Sequence, residues 1–404
     1  MYIMCFRSYL NKCTSQILMG RKINIRKFSS SEPDTALKFL DSSHNEKIPT
    51  YQITASSKLL VDSSLLIKMY QAMLSVNLMD KLLYECQRQG RISFYMTNFG
   101  EEAVQIGSAA ALSDKDLVFA QYRESGVLLW RGFTFTDFIN QCFGNDKDIN
   151  KGRQMPVHYG SKELNFFTIS SPLTTQLPQA VGAAHKLKIA NTNTCVACYF
   201  GEGAASEGDA HAAFNFAATL SYPVVFICRN NAYAISTPSC QQYAGNGIAA
   251  RGPAFGIKTI RVDGNDILSM YQATKFARKY ATENCKPVLI EAMTYRVGHH
   301  STSDDSTIYR DDAEIEKYQQ LDPIRSLKSY LKQHKLWDES QNELFIKATN
   351  KKIMEAIKVA ENDSLPSQDD IFNNVYSTIP FHISKQQVGL QKYFKRRNQL
   401  VDGK

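Results

Sequence analysis

The sequence predicts an α/β fold: a doubly wound, mostly parallel sheet followed by a helical C-terminal part. Three observations carry this. After Ser170, short runs rich in Val, Ile and Phe alternate with helix-like stretches, the pattern of a sheet covered on both faces. One of those runs ends in Gly201-Glu202-Gly203, so an acid sits on a nearly side-chain-free loop where a strand gives way to a helix. Parallel sheets bind ligands at that edge. Beyond residue 312 the chain is charged and helix-like.

The elements follow in chain order. Residues 1–28 hold six basic residues, and no acid appears before Glu32, a composition expected of a mitochondrial presequence. Arg26-Lys27-Phe28-Ser29-Ser30 looks like its processing site. Residues 29–64 read as an extended polar arm carrying Pro33 and Pro49. From there to residue 404 runs a single ligand-binding domain. Leu65, Met69, Met73, Val76, Met79 and Leu83 recur at steps of three and four, predicting a helix over 65–89. An Ala-rich helix is expected near 101–112, and a short strand in "DLVFAQYRESG". Then come a helix at 176–190, a strand at 194–200, a helix at 206–220 and the strand "YPVVFICRN". The strand "IKTIRVDG", a helix at 266–283 and the strand "PVLIEAMTY" complete the pattern.

Composition removes several function classes. The formal charge is +8, but six of the positive charges lie in the presumed presequence and leave +2 without it. A chain that near neutrality gives no electrostatic case for nucleic acid. No uncharged apolar run reaches the ~18 residues of a membrane span. Among nine cysteines, Cys195 and Cys198 form a CxxC. They lie on a strand, where positions three apart face opposite sides, so a shared metal is not expected.

The glycine-bracketed loop fails as a dinucleotide fingerprint, because Ser206 stands where the third glycine belongs. It fits a metal better. After 26 intervening residues come Asn230 and Asn231. Asn231 is expected to end the next strand and to sit beside Glu202. A carboxylate and a carboxamide oxygen make part of an Mg²⁺ shell, which phosphates and water usually complete at about 2.1 Å. Glycines would let backbone N–H groups approach those phosphates, and the following helix adds its positive end.

That spacing resembles the thiamine diphosphate motif. Longer stretches narrow the resemblance: "SFYMTNFGEEA", "KGRQMPVHYG", "TISSPLTTQLPQAVGAA", "YFGEGAASEGDAH", "RNNAYAISTP", "GIAARGP" and "EAMTYRVGHHSTSDDS". Together they resemble the α subunits of branched-chain 2-oxo acid dehydrogenase E1 components over roughly residues 60–400. The resemblance implies a sheet of the thiamine diphosphate-binding type. It gives Mg²⁺ to Glu202, Asn231 and the carbonyl of Tyr233. It gives the cofactor to Gln121, Tyr122, Arg123, Gly201, Gly203, Ala204, Arg229 and His300 at the diphosphate, with Ser171 and Leu173 lining it and His300 also catalytic. Arginine suits such work because its fork pairs two phosphate oxygens. Ser170, Pro172, Thr175 and Gln176 would hold K⁺. Without the resemblance, the residues alone read as a helix cap.

The resemblance also implies partners. These are an E1 β subunit in an α₂β₂ assembly, supplying the glutamate that activates the aminopyrimidine, and a lipoyl-bearing E2 core. Branched-chain 2-oxo acids would be the substrates, and the mitochondrial matrix the compartment. A regulatory kinase and phosphatase would act at Ser301, in a loop expected to be mobile; the alternative reading of that loop is a solvated connector. A second family phosphoserine position is Asp311 here. Ala232 stands where relatives often have glycine, and alanine is expected to be tolerated. Pyruvate dehydrogenase α subunits share the plan but differ around "KGRQMPVHYG" and "GEGAASEGD". A catalytically dead structural subunit is the other alternative. The complete Glu202, Asn231, Arg123, Arg229 and His300 set argues against it.

Overall fold

The computed structural model describes residues 50–51, 61–373 and 375–401. The expected presequence and nearly all of the expected arm lie outside them. The first helix, α1 (Ser63–Arg88), buries the predicted stripe, with Met69, Met73, Val76, Met79 and Leu83 fully enclosed. It is followed by α2 (Glu102–Ala111), α3 (Ser125–Trp130) and α4 (Phe135–Phe143). The sequence reading has no counterpart for α3 and α4, which are too short for a clear period. Local chemistry marks α4 nonetheless. Thr134 and Asp137 form a capping box at its start, and Gly144 closes it at φ 63°.

Among the described residues the sheet has seven strands, all neighbours parallel. Chain order begins with β1 (Thr50–Tyr51), β2 (Leu117–Phe119), β3 (Phe166–Phe167), β4 (Val196–Gly201) and β5 (Val224–Asn230). A separate hairpin of β6 (Tyr233–Ala234) and β7 (Thr237–Pro238) follows, then β8 (Lys258–Asp263) and β9 (Val288–Met293). Across the sheet the order is β1-β8-β9-β5-β4-β2-β3. Every residue of β4 and β5 is buried, as a sheet covered on both faces requires. Alternation divides the core in two. Cys195, Ala197 and Tyr199 enter one apolar layer, while Val196, Cys198 and Phe200 enter the other. The CxxC is therefore split across the sheet, as expected.

The covering helices are α5 (Gln176–Ile189), α6 (Gly208–Thr219), the short α7 (Ser239–Gln242) and α8 (Arg251–Ala254), and α9 (Ile267–Asn284). α9 packs along α2. The helical C-terminal part comprises α10 (Asp312–Gln319), α11 (Pro323–Gln333), α12 (Glu339–Asn362) and α13 (Phe381–Val401). Of these, α12 seats on α4 and α1, so the C-terminal part completes the same core. No helix of the described residues is long and apolar enough to cross a membrane.

Candidate active site

The register of β4 and β5 pairs Gly201 with Arg229. The residues just past both strands, Glu202 and Asn231, therefore leave the sheet side by side. Asn231 does not end β5; it is the first residue of the turn after Asn230. Glu202 is 1% exposed, and its Oε1 has no hydrogen-bond partner. Burial, with the nearby Glu101 charge, pushes its carboxyl up to about 7. Asn231 has a fixed orientation. Its Nδ2 donates to Glu101 Oε1 at 2.9 Å, and its Oδ1 accepts the Tyr233 N–H at 3.2 Å.

The glycines act differently from the sequence reading. The Gly201 N–H donates to Gln121 Oε1 at 2.7 Å, so it is not free for a ligand. Gly203 is required for space, because a Cβ there would lie 2.5 Å from the Ala234 Cβ of the hairpin. A 3₁₀ turn over Ala204–Ser206 intervenes before α6, which begins at Gly208 and not near 206. Ala232 takes φ 74°. The left-handed conformation is thus real, and alanine carries a strain of roughly 1–2 kcal/mol at that one residue.

Two carboxylates that the sequence reading passed over organise the crevice. Glu101 and Glu124 are both fully buried. Glu101 Oε2 accepts Arg229 Nη1 at 2.6 Å, and its Oε1 lies 3.4 Å from Arg123 Nε. Glu124 Oε1 accepts Arg229 Nε at 2.5 Å, while its Oε2 accepts the Gln121 and Tyr122 N–H groups, each at 2.9 Å. Burial alone would raise the Glu101 carboxyl, but Arg229 and Arg123 outweigh it and hold it below the usual range. The arginines are consequently not open forks. Arg123 spends both terminal nitrogens on the carbonyls of Thr97 and His300, and its Nε, without a hydrogen bond, faces Glu101 at 3.4 Å. Arg229 keeps only Nη2 without a partner. Both acids stand in quoted stretches, "FGEEA" and "YRESG", but their spacing alone does not separate framework from ligand.

His300 lies edge-on to the Tyr122 ring at 5.9 Å. Burial, then the Arg123 and Arg296 charges, push its imidazole down to about 3. It is therefore neutral. Arg296 Nη1 lies 3.2 Å from its Nδ1, and because arginine can only donate, Nδ1 accepts and Nε2 carries the proton. The following loop is packed and hydrogen-bonded, which does not fit the alternative reading of a solvated connector. Ser301 is 8% exposed. The His300 N–H donates to Asp304 Oδ2 at 2.8 Å, the same oxygen accepts Tyr309 Oη at 2.6 Å, and Arg310 binds the carbonyls of Arg296 and Gly298. Asp311 stands at the N-cap of α10 without a side-chain cap bond.

The stretch at 170–176 is not a side-chain helix cap, since Thr175 makes no cap bond. Instead Thr175 Oγ1 lies 3.0 Å from the Pro172 carbonyl and 3.4 Å from Ser170 Oγ, so three oxygens gather. Gln176 turns its amide nitrogen to the Tyr199 carbonyl at 3.1 Å. Ser171 Oγ lies 2.7 Å from Nε2 of the buried His158, a partner the sequence reading missed. Thr174 and Val157 flank this contact at φ 68° and 67°, conformations that β-branched residues rarely adopt. Leu173 is 41% exposed.

Residues 70–368 match the family described as dehydrogenase E1 component. The chain belongs to that family. It is 52% identical over 376 residues to the chimpanzee (Pan troglodytes) mitochondrial 2-oxoisovalerate dehydrogenase subunit alpha, covering 91% of this chain and 84% of the relative. The Dictyostelium discoideum protein of that name is 55% identical over 346 residues, 84% of this chain and 78% of the relative. The Arabidopsis thaliana subunit alpha 2 is 47% identical over 361 residues, 87% of this chain and 76% of the relative. The kinship is with branched-chain 2-oxo acid dehydrogenase E1 α subunits, and the pyruvate dehydrogenase alternative gives way to it.

Membership of the E1 family brings dependence on thiamine diphosphate, and a place beside a β subunit and an E2 core. The crevice suits the charged end of that cofactor. Glu202 Oε1 is an acceptor without a donor, which suits a cation. Arg229 Nη2 is a donor without an acceptor, which suits an anion. Buried polar atoms are seldom left unpaired, so an orphan acceptor and an orphan donor in one crevice fit a ligand carrying charge of both signs.

Proposed function

We propose that this chain binds Mg²⁺–thiamine diphosphate at the carboxyl ends of β4 and β5 and, with a β subunit, decarboxylates the 2-oxo acids of Val, Leu and Ile. The acyl group then passes to lipoyl-E2. The observation that carries the reading is the pairing of one orphan acceptor, Glu202 Oε1, with one orphan donor, Arg229 Nη2, both buried at the ends of neighbouring strands. Glu202, Asn231 Oδ1 and the Tyr233 carbonyl hold the metal, all hard oxygen ligands. Arg229 Nη2, Arg123 and the Nε2–H of neutral His300 donate to the diphosphate. Gln121 and Tyr122 shape its wall, with Gly203 and Ala204 beneath. Gly201 gives its N–H to Gln121 and only adjoins the ligand. Once bound, thiamine diphosphate supplies the carbon nucleophile and the electron sink.

Ser171 and Leu173 face the cofactor's other end, which the β subunit closes and where it contributes the activating glutamate. Ser170, the Pro172 carbonyl and Thr175 hold K⁺, supported by their gathering at one hydroxyl; Gln176 joins only through its oxygen. A kinase and phosphatase act at Ser301, beside the Asp304 carboxylate that anchors His300. Residues 1–28 direct the chain to the mitochondrial matrix, consistent with relatives named mitochondrial.

The test is reconstitution with the β subunit. Calorimetry should show thiamine diphosphate binding only when Mg²⁺ is present, and turnover should favour 3-methyl-2-oxobutanoate over pyruvate. Metal-independent binding, or equal activity from the isolated α chain, would overturn the assignment.

A further inference from the structure

Asn231 can serve a metal only if its carboxamide oxygen, and not its nitrogen, faces the metal. An unrestrained asparagine exchanges the two by a half-turn about its last bond. Here Nδ2 is 2.9 Å from Glu101 Oε1, and Oδ1 is 3.2 Å from the Tyr233 N–H. A carboxylate can only accept and a backbone N–H can only donate, so the orientation has a single solution. The oxygen keeps a second lone pair, and Glu202, on the neighbouring strand end, keeps its Oε1 without a partner.

Glu101 does more than hold the amide. Its other oxygen accepts Arg229 Nη1 at 2.6 Å. That bond and the Arg229 Nε bond to Glu124 at 2.5 Å leave Nη2 as the one guanidinium nitrogen without a partner. One buried side chain thus aims both a metal ligand and a phosphate donor, while itself touching neither ligand. On the reading of this crevice as the Mg²⁺–diphosphate site, we infer that Glu101 is a positioning residue for metal affinity, acting through the amide of Asn231 and the guanidinium of Arg229. Partners of metal ligands typically contribute 10–100-fold in affinity when removed.

The test uses donor–acceptor exchange in the α₂β₂ assembly. In Glu101→Gln, the new NH₂ group must face either Arg229 or the Asn231 amide nitrogen, and the second arrangement turns the asparagine over. Mg²⁺ affinity, titrated calorimetrically with thiamine diphosphate saturating, should fall by about 10–100-fold. In Glu101→Gln combined with Asn231→Asp, the glutamine NH₂ donates to one aspartate oxygen and the other again faces the metal. Net charge is that of the wild type. Affinity should return to within about tenfold of wild type. Asn231→Asp alone is titrated in parallel, because a carboxylate ligand strengthens Mg²⁺ binding by its charge; affinity above wild type in that variant would assign the rescue to charge and overturn the positioning role. If Glu101→Gln does not assemble, Glu101→Asp, which withdraws both oxygens by one methylene, is read instead and should show the same loss. Wild-type affinity in the single variant, or a double variant no better than the single, overturns the role of Glu101 and leaves the site intact, with Glu202→Gln still abolishing Mg²⁺ dependence. Absence of Mg²⁺-dependent binding in the wild type overturns the underlying reading, and this inference with it.

Discussion

Changing Glu202 to Gln should move stability in opposite directions with and without cofactor. Without cofactor, the wild type buries a carboxylate whose Oε1 has no donor and whose carboxyl is pushed up to about 7. A buried group of this kind costs roughly 1–3 kcal/mol, more when charged. An amide of the same shape carries no charge and loses part of that cost, so the cofactor-free variant should gain about 1–2 kcal/mol. With cofactor the order reverses. A ligand at one hundred times its Kd stabilises the wild type by about 2.7 kcal/mol. The variant, lacking the anionic ligand, should gain almost nothing at that concentration. The assay is thermal unfolding of the α₂β₂ assembly without ligand, then with Mg²⁺ and thiamine diphosphate. A variant that melts lower than wild type without ligand, yet keeps the full ligand-induced rise, would refute the view that Glu202 is held in wait for a cation.

Three further outcomes are expected. Glu124→Gln leaves one acceptor for three donors, Arg229 Nε and the Gln121 and Tyr122 N–H groups. It should cost about 3–5 kcal/mol in urea unfolding, the range for breaking a buried ion pair, and a loss under 1 kcal/mol would refute that framework role. Ser301→Glu puts a second negative charge beside Asp304, whose Oδ2 anchors the His300 N–H. Activity of the overall complex should fall at least about tenfold, as phosphorylation would do, and full retention would remove the switch. Burial pushes the Glu102 carboxyl from 4.5 to about 8, so the folded chain holds a proton that the unfolded chain releases. That stability is complete below 4.5 and is lost as pH rises toward 8, by about 1.4 kcal/mol per pH unit. Glu102→Gln has no proton to lose and should flatten the fall in melting temperature over this window; an unchanged slope would contradict it.

The sequence by itself determined the layers of this protein and the place of its site. The largely apolar β4 and β5, and helices with a 3.6-residue stripe, each have one way to bury their surface, and the acid and asparagine after those strands could only emerge together at one edge. It also supplied a family, because long runs of specific residues carry more information than any periodicity. Tertiary structure decided everything that depends on partners distant in the chain. Glu101 and Glu124 became the frame of two arginines only because α2, the loop after β2 and the end of β5 meet. Gly201 lost its N–H to Gln121, 80 residues away. Ala232 received its left-handed turn from the hairpin it opens, and Ser301 its burial from hydrogen bonds around Asp304 and Arg310. Period and composition are local and legible along the chain, whereas the pairing of a buried charge is settled only by what folding brings within about 3 Å of it.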